Sequence, residues 1–246
     1  MNSVYISFIK QYTSQPLFKW ILVFLSFGCF VFLYNSKEVS YFNLIYYASG
    51  NPYIIAFFLA PSSLLLCNRI LSDIENNKSF VGRLSDRKKY YGFQVKMIMF
   101  ITTTLFLSFL LIVILCANIF AARNHLVTAD PNYDGIINII GMIVSIIKLY
   151  LLLIGFEIIN IAFRKMFNYV IIVVINFLVL LTFFDFLSFP SMEFIYLIFP
   201  SHYIGFKYIF DSFLENIIFS SIYLGGLLII GVLFSRFLTI NKDIKE

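Results

Sequence analysis

The sequence predicts an all-α integral membrane protein: six transmembrane helices, an amphipathic interfacial helix at the amino terminus, and a further helix in the largest cytoplasmic loop. Three observations carry this. The 246 residues are 61% hydrophobic and 13% charged, where soluble chains carry roughly 25% charged residues. The apolar residues fall in runs long enough for helices that cross a bilayer rather than for barrel strands. Most of the few charges lie in alternate connections. This composition excludes a soluble core of this size and a disordered chain, and three Cys build no disulfide framework.

Six apolar segments follow in order. Leu17–Tyr34 is interrupted only by Lys19, whose long stem reaches the interface. It lacks a small-x-small cleavage pattern and is expected to be a retained first span rather than a signal peptide. Tyr53–Asn68 has Pro52 at its head and Pro61 inside, where a kink is expected. Met97–Ala122 is uncharged, and Gly135–Phe163 is apolar apart from Lys148 and Glu157. Met166–Phe184 and Asn216–Ser235 are uncharged runs of 19 and 20 residues, close to the ~20 that a bilayer core needs.

Charge placement orients the spans. Fourteen of the 18 Lys and Arg residues fall at the amino terminus (Lys10, and Lys19 near the start of the first span), after the second span, between the fourth and fifth, and after the sixth. The opposite connections hold only Lys37, Arg123 and Lys207, with seven carboxylates. The positive-inside rule then places both termini and the 69–96 loop in the cytoplasm. The net charge of +5 is the signature of that asymmetry, not of nucleic-acid binding. Cys29, Cys67 and Cys116 all fall inside expected spans, where apolar packing accounts for them.

Motifs for chemistry are missing. The chain contains no P-loop run, no His-Glu-x-x-His and no Gly-x-Ser-x-Gly. His125 and His202 lie in different outer connections without a Cys or second His at ligand spacing, so surface histidine outweighs metal binding. Catalysis is the weaker expectation, and the chain is expected to carry no cofactor of its own.

The 69–96 loop, RILSDIENNKSFVGRLSDRKKYYGFQVK, holds seven of the basic residues. On a helix, Ile70, Ile74, Val81 and Leu84 fall within about 80° of arc. Asp73, Glu75, Lys78 and Arg83 occupy the remaining faces. Such a helix suits a membrane surface or a partner's groove, and the competing reading is a solvated loop touching anionic lipid.

The order Asp73, Glu75, then Arg83-Leu-Ser-Asp-Arg87, then Lys88-Lys89-Tyr90-Tyr91 and Lys96 resembles the type-2 exporter permeases of ATP-binding-cassette (ABC) transporters. In that family the first cytoplasmic loop carries a coupling helix that sits in a cleft of the ATPase. Asn76-Asn77-Lys78 stands where the family usually has a glycine. MNSVYISFIKQYTSQP, with Val4, Phe8, Tyr12, Tyr5 and Ile9 within about 140° of arc, is similar to the family's interfacial helix over 1–16. The Pro190- and Pro200-broken stretch within 186–213 resembles its short outer-leaflet helices.

The resemblance implies a single permease domain in a bacterial cell membrane. It would pair with a second copy of itself and with a cytosolic ABC ATPase that holds ATP and Mg. Asp73, Ile74, Glu75, Val81, Arg83, Leu84 and Arg87 would make the coupling contact. Among family members, the composition looks most like small permeases of low-GC bacteria that export amphipathic or antimicrobial-type peptides, phenol-soluble modulins being an example. A permease for self-immunity against bacteriocins or drugs, a non-transporting membrane scaffold or sensor, and a membrane enzyme without familiar motifs are the alternatives.

Two charges lie inside the fourth span. Lys148 is thirteen residues in, about 20 Å along a helix, and so faces a cavity or a partner rather than lipid. One reading places it on the substrate path at a dimer interface. The other gives it a hydrogen bond inside the bundle, to Asn118, Asn138, Asn176 or a backbone carbonyl. Glu157, assigned with it to the substrate path, is half a revolution away and so is no helical neighbour of Lys148. It lies on nearly the same face as Arg164.

Overall fold

The computed structural model describes residues 12–34, 41–76, 87–124, 136–166 and 213–241. All the secondary structure described there is helical. The long elements are α1 (Pro16–Tyr34), α3 (Ala60–Asn76), α4 (Arg87–Asn124), α5 (Ile136–Met166) and α6 (Phe213–Asn241). A ten-residue helix, α2 (Tyr41–Gly50), lies between α1 and α3. Five stretches among the described residues are long and apolar enough to cross a membrane: one in each of α1, α4, α5 and α6, and Ile55–Asn76, which contains α3. The described residues thus form an all-helical bundle whose five apolar helices are compatible with a multi-pass membrane protein. All but Met166 of the expected fifth span Met166–Phe184, nearly all of the amino-terminal helix 1–16, and nearly all of the 186–213 stretch lie outside the described residues.

Local chemistry explains the helix ends. Pro16 occupies the first turn of α1, where a missing N–H costs nothing. Asn51 caps the turn that leads into α3: its Oδ1 accepts from the backbone N–H groups of Tyr53 at 2.9 Å and Ile54 at 3.3 Å. Between that turn and α3 the chain widens into a π-helical stretch, Ile55–Leu59, with the Ala60 N–H reaching back to the Ile55 carbonyl. Pro61 follows immediately. A proline lacks the N–H for the helical ladder, and its ring crowds the carbonyl four residues back. The wider turn relieves that crowding, so the kink expected at Pro61 takes the form of a π-bulge.

Two expectations about extent change. The second span does not stop at Asn68, because α3 continues to Asn76; α4 already begins at Arg87. The stretch between the second and third spans is therefore helical at both ends, leaving 77–86 outside the described residues. Helix α2, absent from the sequence reading, buries Leu44, Ile45 and Ala48. At ten residues it is too short to cross a bilayer.

Paired side chains give the helix directions. Tyr12 meets Asp73, and Phe24 and Phe32 meet Phe58, so α1 and α3 are antiparallel. Tyr34 and Phe30 both pack on Phe120, placing the ends of α1 and α4 together. Arg87 and Tyr91 of α4 reach the carbonyls of Ile240 and Val232, so α4 and α6 are antiparallel. Helices α3 and α5 are parallel, with Ser63 beside Glu157 and Glu75 beside Arg164. Helices α5 and α6 are parallel too: Gly155 lies against Leu227 and Gly231 against Ile159. Tyr12, Asp73, Arg87, Arg164 and Ile240 consequently gather at one end of the bundle. The core is built around α3, the most enclosed of the five apolar stretches, while α6 is the least enclosed.

Candidate functional site

Polar side chains line the contact between α3 and α5. On α3 they are Ser63, Cys67, Asn68 and Glu75; on α5 they are Glu157, Asn160 and Arg164. On α5, steps of three and four residues put the set along one helix face; on α3, Ser63 and Cys67 are four residues apart and Asn68 and Glu75 seven, two adjoining tracks within about 140° of arc. The π-bulge precedes all of the α3 set and fixes its phase, because one extra residue in a turn rotates everything that follows.

Deepest in the seam, the Ser63 hydroxyl donates to Glu157 Oε1 at 2.7 Å. Glu157 is fully buried, with Cys67 and Asn160 beside it. Its Oε2 has no hydrogen-bond partner among the described residues. Cys67 Sγ in turn lies 3.7 Å from Thr102 Oγ1 on α4. Further along, Asn160 Nδ2 donates to Asn68 Oδ1 at 3.2 Å. Arg164 Nη1 donates to both the Asn68 carbonyl and its Oδ1, at 3.0 and 3.1 Å. Arg164 Nη2 closes an ion pair with Glu75 Oε2 at 2.9 Å. Since Arg164 only donates, Asn68 must present its oxygen to it, and Asn160 must then present its nitrogen to Asn68.

The neighbouring residue pair ties a second element. Tyr12 donates to Asp73 Oδ2 at 2.8 Å, and Arg69 approaches the same oxygen at 3.5 Å. Burial first, and then the hydrogen bond to Asp73, push the Tyr12 hydroxyl above its ordinary range, so it remains a donor.

Of the expected coupling residues, Asp73, Ile74 and Glu75 sit in the last turns of α3. Ile74 is fully buried within the chain, and the two carboxylates face Tyr12 and Arg164. Arg87 is exposed at the start of α4, where Nη1 donates to the Ile240 carbonyl at 2.9 Å. Val81, Arg83 and Leu84 lie outside the described residues. Lys148 is buried, at 5% exposure; Asn118 is exposed on α4, and the side chains of Asn138 and Asn176 lie outside those described. Lys148 and Glu157 occupy opposite sides of α5.

Ser63, Asn68, Asn160 and Tyr12 belong to the site without standing in any sequence motif. The four-residue step from Asn160 to Arg164 and the seven-residue step from Asn68 to Glu75 signal two of them; Ser63 and Tyr12 carry no such signal. Among the described residues no three His, Cys, Asp or Glu side chains gather as a metal site. The seam can couple the positions of helices: moving the end of α3 pulls on α5 through Arg164 and on the chain ahead of α1 through Tyr12. Compared with protein-family models, curated proteins and solved structures, the chain matches none.

Proposed function

We propose that the chain is the membrane-spanning permease subunit of an ATP-driven exporter for amphipathic peptides. In this reading six spans cross a bacterial cell membrane with both chain ends in the cytoplasm. Two permease copies work with a cytosolic ABC ATPase that binds ATP and Mg. The sixth span is argued from direction. The parallel run of α5 and α6 supports a further crossing between them, and the expected apolar run Met166–Phe184 is long enough for it.

One observation favours a moving subunit over a passive scaffold. The acidic pair that the family resemblance assigns to ATPase coupling lies at the end of α3, where Asp73 is tied to Tyr12 and Glu75 to Arg164. A push on the 77–86 connection is therefore delivered to three elements at once. That is what rigid-body switching requires.

The test is co-purification of the tagged chain with a P-loop ATPase encoded beside it, followed by ATPase assays in lipid with amphipathic helical peptides. A stable complex whose ATP hydrolysis rises severalfold with peptide is expected. A chain that captures no ATPase removes the reading and leaves a scaffold, a sensor or a membrane enzyme; a complex indifferent to peptides removes the peptide cargo and leaves a self-immunity permease.

A further inference from the structure

The seam leaves two oxygens without donors among the described residues: Glu157 Oε2 and Asn160 Oδ1. Both belong to residues at most 1% exposed, one helical turn apart on the same face of α5. Asn160 cannot satisfy either need by turning its amide over. Arg164 holds the Asn68 oxygen toward itself, so Asn68 offers Asn160 an acceptor, and Asn160 must answer with its nitrogen. Among the described residues, the groups that face the carboxyl are Ser63, hydrogen-bonded to Oε1, and the nearby Cys67 from α3 and Asn160 from α5, with Thr102 of α4 behind Cys67. None of these carries a positive charge. Arg164, the next cation along this face, is seven residues on, about 10 Å away along the axis, with its terminal nitrogens on Glu75 and Asn68. Lys148 is on the other side of the helix.

An ionised carboxylate buried with no counter-charge is far too costly to persist in a low-dielectric interior. A single proton removes the charge and supplies the missing donor together. We propose that Glu157 is held as a carboxylic acid whose Oε2 hydroxyl is directed at the Asn160 amide oxygen, making the α3–α5 contact a proton-binding site. When α3 parts from α5, Ser63 leaves Oε1, Asn160 loses Asn68, and water reaches the acid. The O–H bond then breaks, its proton passes to water as hydronium, and both electrons stay on Oε2. Closing the seam reverses the step. The inference needs no particular cargo or partner and stands apart from the permease reading.

The test is infrared spectroscopy of the full chain in lipid nanodiscs at neutral pH, in H2O and in D2O. The wild-type spectrum minus that of Glu157→Gln should contain the carbonyl band of a protonated carboxylic acid, shifted by deuterium. Gln keeps one acceptor for Ser63 and one donor for Asn160, so this variant should fold with an unchanged helical signal. Asn160→Ala should retain the band but move its frequency. If Glu157→Gln does not accumulate, failure of Asn160→Ala to move any protonated-acid band overturns the proposal by itself. A difference spectrum with carboxylate bands alone also overturns it. So does a thermal midpoint that rises with sodium or lithium chloride over choline chloride in wild type but not in Glu157→Gln, because a metal cation would then occupy the site.

Discussion

Arg164 Nη2 lies 2.9 Å from Glu75 Oε2, joining the end of α5 to the end of a helix 89 residues earlier in the chain. The side chains are 14% and 28% exposed, so solvent screens the pair only in part. Removing Glu75 leaves a guanidinium with two bonds to Asn68 and no carboxylate. Glu75→Gln is expected to destabilise the protein by about 1–3 kcal/mol. A double-mutant cycle with Arg164→Gln, read by thermal unfolding in detergent, should give a coupling energy near 1 kcal/mol or more. Additive single effects would mean that the pair does not hold the helices together.

Tyr12 makes the corresponding tie on the other side of α3. Tyr12→Phe removes one hydrogen bond to a carboxylate, with an expected loss of about 1.5–3 kcal/mol. The pH dependence has a definite sign. The folded chain holds the phenol proton more tightly than the unfolded one, so the stabilisation is complete below the unfolded pKa of about 10 and is lost as pH rises above it. Wild type should therefore lose more stability than Tyr12→Phe between pH 9 and 11, measured by chemical denaturation at each pH.

Gly28 lets α1 approach the π-bulge. A methyl group there would come within 2.6 Å of the Phe58 ring, a rigid group that also packs on Phe24 and Phe32. Gly28→Ala should cost about 1–3 kcal/mol through overpacking. Adding Phe58→Leu should return a good part of that loss, which a thermal melt of the double variant would reveal.

The transport reading makes its own demand on charge. Reversing Arg83 and Arg87 together to Glu is expected to separate ATP hydrolysis from peptide export in proteoliposomes. Arg87 also holds the Ile240 carbonyl, so Arg87→Gln alone serves as the control and should keep the two activities coupled. A double reversal that still exports at the wild-type ratio would take these residues out of the coupling contact.

Lys148→Met isolates the buried amine of α5. If that amine lines the path, export should fall at least tenfold while ATPase assembly is kept. Unchanged export would leave it a purely structural donor.

Much of the architecture was legible residue by residue. The apolar runs marked where four of the described long helices cross the core, to within a few residues at several ends, and Pro61 marked the irregular turn. Arg69, Asp73 and Glu75 read in the sequence as the end of a membrane segment, yet the helix runs through them to Asn76. Their partners are on other helices: Tyr12 for Asp73, and Arg164 for Glu75. Helix α2 was missed because its mixed aromatic and small residues form no long run, and its burial comes from the helices packed over it.

What the sequence by itself determined is a set of apolar runs long enough to cross a bilayer and the uneven placement of charge between them. Hydropathy and charge are summed along the chain, and a bilayer selects on those local sums. What only the tertiary structure decided is which faces meet. Lipid is as apolar as Leu or Phe, so hydrophobicity cannot choose one helix face over another, and the choice falls to small residues and polar pairs. Gly28 under Phe58, Gly155 beside Leu227, and the line from Ser63–Glu157 to Glu75–Arg164 are such choices. Each depends on a partner at least thirty residues away. For that reason the seam, with its buried Glu157, became visible only in the folded bundle.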